Sequence, residues 1–112
     1  MALKIKKEQF KTVNYSQDEL VVIISINRPE AMNSFNAELR SELLLALKKA
    51  VLADDIRAII INGNGRNFSA GADLKDTNDA QKSLEEVLNN EYRPIFNLIS
   101  DINIPVIASV HG

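Results

Sequence analysis

One segment of the chain, Ile59–Lys75, combines an apolar run with three glycines and has the sequence IIINGNGRNFSAGADLK. Glycine-rich segments of this kind can bind phosphate groups. A dinucleotide fingerprint requires G-x-G-x-x-G, but Phe68 stands where a third glycine should follow Gly63 and Gly65. A P-loop requires G-x-x-x-x-G-K-[ST], but the last two glycines are one residue too far apart and Ala72 replaces the lysine. Both nucleotide motifs are therefore excluded.

The small residues Ser69–Ala72 indicate that another group approaches the backbone closely. If Asp73 lies in the first turn of a helix, the N–H groups of Ala72 and its neighbours lack intrahelical acceptors and point outward with the positive end of the helix dipole. Such N–H groups can stabilise a developing oxyanion. A hairpin turn at Asn62-Gly63 or Asn64-Gly65 explains the first glycines but not the small residues. The spacing alone also fits a structural tight turn.

The first half of the chain predicts a hairpin followed by a helix. Phe10–Tyr15 and Leu20–Ile26 are rich in β-forming residues, and the polar stretch Ser16–Glu19 between them is typical of a turn. Residues from about Asn36 to Ala53 carry leucines and an alanine at helical spacing, which predicts one apolar stripe along a helix. Asn36 is the predicted N-cap, because an asparagine side chain there accepts a hydrogen bond from an early helical N–H.

The second half continues the alternation of strand and helix. Ala58–Ile61 is wholly apolar, which predicts a strand covered on both faces. Asp79–Ser100 has a helical pattern in which Pro94 predicts a kink or a break into two helices, and Pro105–Val110 is a further apolar strand. The predicted core residues of the helical segment are Leu84, Val87, Leu88, Ile95 and Leu98. This order of elements predicts an α/β architecture with right-handed crossovers.

Several residue types that serve in catalysis have simpler explanations here. His111, Ser69 and Asp73 could form a triad by residue type, but no spacing supports one, so we expect a turn histidine at the end of a strand. Asp73 itself is explained by favourable electrostatics at a helix start. Tyr92 and Phe96 are predicted to pack in the core, with an acyl-binding pocket as the alternative. The acidic residues that we expect to be solvated are Glu85, Glu86 and Glu91.

The composition is that of one small globular domain. The 112 residues are 46% hydrophobic and carry a net charge of −2 with both signs interspersed, so there is no electrostatic footprint for nucleic acid. The absence of cysteine excludes disulfides and thiolate zinc sites, and no His/Asp/Glu cluster has metal-ligand spacing, so we expect no metal. No apolar run suits a signal peptide or a membrane span. We therefore expect no membrane partner and a soluble, cytoplasmic protein.

Three segments together resemble successive motifs of the enoyl-CoA hydratase/isomerase family, also called the crotonase superfamily. They are Asn27–Asn33 (NRPEAMN), Phe68–Lys75 (FSAGADLK) and Ile104–Gly112 (IPVIASVHG). Their order and separation match the family as well, which makes the resemblance specific. It implies an α/β fold, the ClpP/crotonase spiral of β-β-α units, and assembly of the full-length protein into a homo-oligomer, a trimer or a hexamer.

For the site, the resemblance implies binding of an acyl-CoA thioester and stabilisation of an enolate-like anion at the thioester oxygen. Coenzyme A is then part of the substrate, and no separate cofactor is implied. Two backbone N–H groups form the oxyanion hole of the family, and the first of them corresponds to Ala72. The residues that match substrate-binding positions are Ala70, Gly71, Asp73, Leu74, Arg28 and Ala31, of which the last two lie in the loop along the CoA nucleotide.

The resemblance ends before two features of the family, a glycine triplet and the acid/base glutamates. One glycine of the triplet supplies the second oxyanion N–H. Residues 1–112 are thus predicted to be the amino-terminal part of a crotonase-like domain, truncated before both features, and we expect this chain alone to be inactive as a hydratase. One alternative is a naturally short, non-catalytic CoA-binding or protein-interaction module. Another is an unrelated α/β domain, such as a flavodoxin-like one, which leaves Ser69–Leu74 unexplained.

Overall fold

The computed structural model describes residues 10–73 and 83–112. Strands and helices alternate through the chain after an initial hairpin. The elements are β1 (Val13–Asp18), β2 (Val21–Ile26), a 3-10 turn (Pro29–Ala31), α1 (Ala37–Leu52), β3 (Ala58–Gly63), α2 (Leu84–Val87), a π-helix (Leu88–Tyr92), α3 (Arg93–Asp101) and β4 (Val106–Ala108).

The strands form one sheet in the order β1-β2-β3-β4. The first two are an antiparallel hairpin, whereas β2 with β3 and β3 with β4 pair in parallel. Parallel neighbours need a crossover connection, and α1 supplies it between β2 and β3. As a result, the carboxyl ends of the three parallel strands meet at one edge of the sheet, and the loops that follow them lie side by side.

The core lies between α1 and one face of the sheet, with α3 packed alongside α1. Burial alternates along β2 and β3, which is the pattern of a sheet with one covered face. Ile60, on the opposite face of β3, is only partly buried. The prediction that this strand is covered on both faces is therefore wrong for the described residues. The core cluster consists of Val13, Val22, Ile24, Ile26, Leu39, Leu43, Ala46, Leu47, Ala50, Ile59, Ile61 and Ile95.

The hairpin turn is tighter than its polar sequence predicts. Asp18 pairs with Val21, so the predicted turn residues Ser16 to Asp18 belong to β1 and only Glu19 and Leu20 reverse the chain. Glu19 adopts a φ of 54°, a conformation that two-residue hairpin turns commonly require. Main-chain pairing along the hairpin has outweighed the polar character of the residues.

The predicted break at Pro94 takes the form of a π-helix. Leu88–Tyr92 forms a wide turn, at the end of which the Arg93 N–H donates to the carbonyl of Leu88. Proline lacks an N–H and its ring needs room beside the preceding turn, so the wider turn lets the helical path continue into α3.

Burial along this helical segment differs from the predicted core. Val87 and Ile95 are buried as expected. Leu84 and Leu88, which were predicted to be core residues, are exposed, and Phe96 is 61% exposed. The helical pattern alone assigned these residues to the core. The extra residue of the π-turn shifts the helix face that follows it, which accounts for Phe96, whereas Leu84 and Leu88 precede that shift. The core packing predicted for Phe96 is therefore wrong.

We predict that Asn36→Ala lowers the free energy of unfolding by about 1 kcal/mol, because it removes an N-cap. The Asn36 Oδ1 accepts a 2.8 Å hydrogen bond from the Leu39 N–H, which has no acceptor inside α1. Ser41→Ala is the matched control, since Ser41 is exposed within the same helix and alanine is favourable there. Urea unfolding measures both variants. Equal midpoints for the two would contradict the capping role.

Candidate functional site

Two loops leave the carboxyl edge of the parallel strands. Loop A, residues 27–36, follows β2, and loop B, residues 64–73, follows β3. Ligands of open α/β sheets commonly bind at this edge, where loops are free to vary while the strands stay rigid. Most of the residues with predicted roles lie on these two loops.

Asn33, a residue without a predicted role, joins loop A to loop B. It is fully buried. Its Nδ2 donates to the carbonyls of Asn64 and Asn67 at 2.8 and 2.9 Å, and its Oδ1 accepts from the Arg28 N–H at 2.7 Å. The Ser69 hydroxyl donates to the Asn33 carbonyl at 2.7 Å. These bonds lie away from water, where an unpaired group is costly, so they fix how the two loops dock.

The backbone at this point offers the one sequence signal that could have revealed Asn33. Met32 and Asn33 have φ values of 55° and 57°, in the left-handed region. Asparagine is several-fold enriched there among residues other than glycine. An asparagine in a loop that contains no glycine is thus a candidate for such a turn, but the sequence does not reveal its long-range partners.

The Ala72 amide is oriented by a backbone bridge between the two loops. Phe35 and Ala72 form an isolated parallel β-bridge, in which the Phe35 N–H donates to Gly71 O at 2.7 Å and the Asp73 N–H donates to Phe35 O at 2.8 Å. In extended backbone successive peptide groups alternate in direction, so the N–H of Ala72 points away from Phe35. Within residues 10–73 and 83–112 it meets no acceptor, and Ala72 is exposed.

The sequence offered a different cause for an outward amide, a helix whose first turn contains Asp73. The residues that would form such a helix after Asp73 lie outside the described ranges, so this condition stays a prediction. The alternation of extended backbone at the Phe35 bridge is sufficient to account for the direction of the Ala72 N–H.

The glycines of the segment serve two different needs. Gly71 has a φ of +102°, and a Cβ built there would meet no atom within 4 Å, so its requirement is conformational and the backbone beside it is open. A Cβ at Gly63 would lie 2.6 Å from the Asn67 carbonyl oxygen. A close approach within the chain therefore occurs at Gly63, where loop B folds back on the end of β3. The approach of another group to Ser69–Ala72 stays a prediction.

The structure brings two of the predicted substrate-binding residues together. Arg28 Nη2 lies 3.1 Å from Asp73 Oδ2, and the two side chains are only 14% and 16% exposed. Arg28 Nη1 donates to the Ser34 carbonyl at 2.6 Å. The guanidinium thus lies between the loops.

The remaining predicted site residues are spread along the loops. Ala31 is half-buried in the 3-10 turn of loop A. Ala70 is exposed, and its N–H donates to the Met32 carbonyl at 3.0 Å. Leu74 lies outside the described residues.

His111 holds loop B from the side opposite loop A. Its Nε2 lies 3.0 Å from Gly65 O, and its main-chain carbonyl accepts from the Phe68 N–H at 3.0 Å. Ser69 and Asp73 bond to loop A instead. The three residues form no triad, and His111 follows the end of β4, as the simpler explanation predicted.

A cluster of charged and aromatic side chains packs beside Phe35. The Phe35 and Tyr92 ring centroids are 6.1 Å apart, and those of Tyr92 and Phe96 are 6.4 Å apart. Arg40 is 1% exposed, and its Nε bonds to Glu91 at 2.8 Å. The prediction that Glu91 is solvated is therefore wrong, because it faces a buried guanidinium, and the π-helix that carries it also positions Tyr92 against Phe35.

The described part of the chain contains neither a candidate metal-binding cluster nor a candidate membrane-spanning helix. No group of three or more histidine, cysteine, aspartate or glutamate residues there could hold a metal ion. No helix there has the length and apolar character needed to cross a membrane.

A model of the family described as enoyl-CoA hydratase/isomerase matches residues 16–112. The chain belongs to this family. A probable enoyl-CoA hydratase from Rhodobacter capsulatus is 40% identical over 92% of this chain and 39% of its own length. The 1,2-epoxyphenylacetyl-CoA isomerase of Escherichia coli is 36% identical over 82% of this chain and 37% of its own length. The chain therefore spans well under half the length of these relatives.

The fold agrees with the family. A solved enoyl-CoA hydratase/isomerase (crotonase) from Legionella pneumophila matches with a TM-score of 0.76 and 32% identity, over 90% of this chain and 40% of that one. The crotonase fold predicted from the three motifs is thereby confirmed for the part that the chain contains.

We predict that Asn33→Ala lowers the free energy of unfolding by roughly 2–4 kcal/mol, because it leaves three partly buried backbone groups without their partner. Asn33→Asp should cost a similar amount, since a carboxylate oxygen then faces two carbonyls. The control is Asn97→Ala, at an exposed position of α3. Urea unfolding compares the three. A midpoint for Asn33→Ala equal to that of the control would show that the loops dock without Asn33.

Proposed function

We propose that this chain binds an acyl-CoA thioester, with the Ala72 N–H donating a hydrogen bond to the thioester carbonyl oxygen. One observation carries the proposal: the N–H of Ala72 points outward from the Phe35 bridge and meets no acceptor among the described residues. Family membership supports a CoA thioester as the ligand, since the Escherichia coli relative is named for a CoA ester.

The amide acts on charge that develops during the reaction. When the α-carbon of a thioester loses a proton, or the β-carbon of an enoyl thioester gains a hydroxyl, an enolate forms and negative charge gathers on the thioester oxygen. A donor that is already aimed at that oxygen needs no reorganisation as the charge appears, and one such donor is worth roughly 3–4 kcal/mol. The docking of loops A and B provides this preorganisation at Ala72.

Binding and polarisation are shared by the reactions of the family, but proton transfer is not. The relatives include a hydratase and an isomerase. We infer that groups supplying and removing protons decide between these reactions. In the family that this chain resembles, these proton-transferring groups and the second oxyanion N–H lie in segments that come after the position of Gly112.

We predict that the 112-residue polypeptide binds crotonyl-CoA without hydrating it. Losing one oxyanion donor costs about 10²–10³ in rate, and losing the general acid/base costs about another 10²–10⁴. Loss of the enoyl absorbance of crotonyl-CoA measures hydration, and calorimetry measures binding. Turnover by the purified chain would contradict the assignment. Binding without turnover also fits a non-catalytic CoA-binding module, which differs in having no active longer form.

We predict that the chain binds butyryl-CoA more tightly than butyl-CoA, by about 2- to 10-fold, because only the thioester has a carbonyl acceptor. Ala72→Pro removes the donor and should abolish the preference, whereas Ala72→Ser keeps the N–H and should preserve it. Calorimetric titration measures the two affinities, and circular dichroism verifies that each variant is folded. Equal affinities of the unaltered chain for both ligands would refute the proposed role of the amide.

A further inference from the structure

The Arg28 guanidinium lies beside both ends of the bridge that orients Ala72. Its Nη1 donates to the Ser34 carbonyl at 2.6 Å, and Ser34 immediately precedes Phe35. Its Nη2 donates to Asp73 Oδ2 at 3.1 Å, and Asp73 immediately follows Ala72. One rigid, planar group is therefore bonded to the residue next to each partner of the bridge.

The position of Arg28 is itself fixed. Its own N–H donates to the buried Asn33 side chain at 2.7 Å, and its carbonyl accepts from the N–H groups of Ala31 and Asn33 at 3.0 and 2.8 Å. The side chain is 14% exposed. Hydrogen bonds that involve a charged group are stronger than neutral ones, and a partly buried ion pair is less screened than one at the surface. The backbone and the guanidinium of Arg28 thus belong to one connected network.

Binding of a nucleotide phosphate would require a different orientation of the Arg28 guanidinium. A phosphate contact needs N–H groups turned toward solvent, and the terminal nitrogens of this side chain are turned toward Ser34 and Asp73. A phosphate would have to compete with the Asp73 carboxylate for Nη2. The geometry therefore disagrees with the role along the CoA nucleotide that the resemblance implied for Arg28.

We propose that Arg28 and Asp73 are positioning residues, which hold loop B against loop A so that the Ala72 N–H keeps its outward direction, and that Arg28 is not a contact for the CoA nucleotide. The functional part of this inference rests on the proposed role of the Ala72 amide. The mechanical part, that the ion pair fixes the amide, does not require any ligand to bind.

Lysine cannot replace arginine in this position. A guanidinium presents separate N–H groups in a fixed plane, one toward a carbonyl and another toward a carboxylate, whereas an ammonium is a single point of charge on a flexible stem. Asp73→Asn retains the size of the side chain but removes the charge. Arg28→Lys, Arg28→Met and Asp73→Asn therefore separate geometry from charge. Arg57→Met is the control for losing one positive charge, since Arg57 is exposed and precedes β3, at the opposite end of the strand from loop B.

Three ligands separate the possible roles in calorimetric titrations. Butyryl-CoA and butyl-CoA differ only in the carbonyl, so the ratio of their affinities measures the hydrogen bond from the Ala72 N–H to that carbonyl. Butyryl-CoA and butyryl-pantetheine differ only in the nucleotide, so their ratio reports nucleotide contacts. We expect all three site variants to reduce the carbonyl preference from about 2- to 10-fold toward one, with an unchanged nucleotide ratio and no rescue by lysine. Arg57→Met should leave both ratios unchanged.

The contrary result is equally distinct. If Arg28 contacts the nucleotide, Arg28→Met lowers the affinity for butyryl-CoA but not for butyryl-pantetheine, Arg28→Lys retains most of the affinity, and Asp73→Asn loses none. A loss of affinity for all three ligands with an unchanged carbonyl preference would show a merely structural role. Either outcome overturns the proposal. If Arg28→Met does not fold, Asp73→Asn and Arg28→Lys carry the test.

Amide spectroscopy of the ligand-free chain keeps the inference separate from the proposed function. In ¹H–¹⁵N spectra, we expect Asp73→Asn and Arg28→Lys to move the signals of Phe35, Ala72 and Asp73 and to speed hydrogen exchange of the Phe35 and Asp73 amides, while the α1 amides stay unchanged. Unchanged signals and exchange would overturn the positioning role. If the chain binds none of the ligands, the proposed function fails, and this measurement still decides whether the ion pair fixes the amide.

Discussion

The direction of one peptide group, the N–H of Ala72, depends on a two-bond bridge between loops that are far apart in sequence. The Phe35 N–H donates to Gly71 O and the Phe35 carbonyl accepts from the Asp73 N–H, and the alternation of extended backbone then turns the Ala72 N–H outward. A main-chain N–H has no side-chain torsion that could adjust its direction. The direction of the Ala72 N–H is therefore set by how the two loops dock. The buried Asn33 side chain and the Arg28–Asp73 pair provide that docking.

The scaffold explains why such a site can be built from so few residues. Parallel pairing of β2, β3 and β4 brings three strand ends to one edge, so loops A and B and the residues after β4 meet there without long connections. His111 contacts loop B from one side and Asn33 from the other. Under the proposed function, this part of the chain polarises a carbonyl, and the choice of reaction lies with proton-transferring groups elsewhere. That division would allow hydratases and isomerases to share one edge of one sheet.

The sequence predicted the features that depend on local chemistry. Helix α1 was predicted because Asn36 and the leucine spacing act within one helix, and the three motifs indicated the family because they lie along the chain in a fixed order. The features that were missed depend on contacts across the fold. Residues 16–18 of the predicted turn became strand because the hairpin paired them. Glu91 became a partner of the buried Arg40, and the side chain of Arg28 bonded to Asp73. Spacing in a sequence cannot show which distant group a side chain will meet.

The hydrogen bond between the Ala72 N–H and a thioester carbonyl can be observed directly as the amide proton shift of Ala72 during titration with butyryl-CoA and, separately, with butyl-CoA. A hydrogen bond to a carbonyl oxygen deshields the amide proton, and only the thioester offers that carbonyl. We expect a downfield shift of the Ala72 proton with butyryl-CoA and little change with butyl-CoA, while the Ala70 proton, already bonded to Met32 O, moves little with either ligand. If the resonance of the Ala72 proton stays in place at saturating butyryl-CoA, or shifts equally with both ligands, the Ala72 N–H does not donate to the thioester carbonyl.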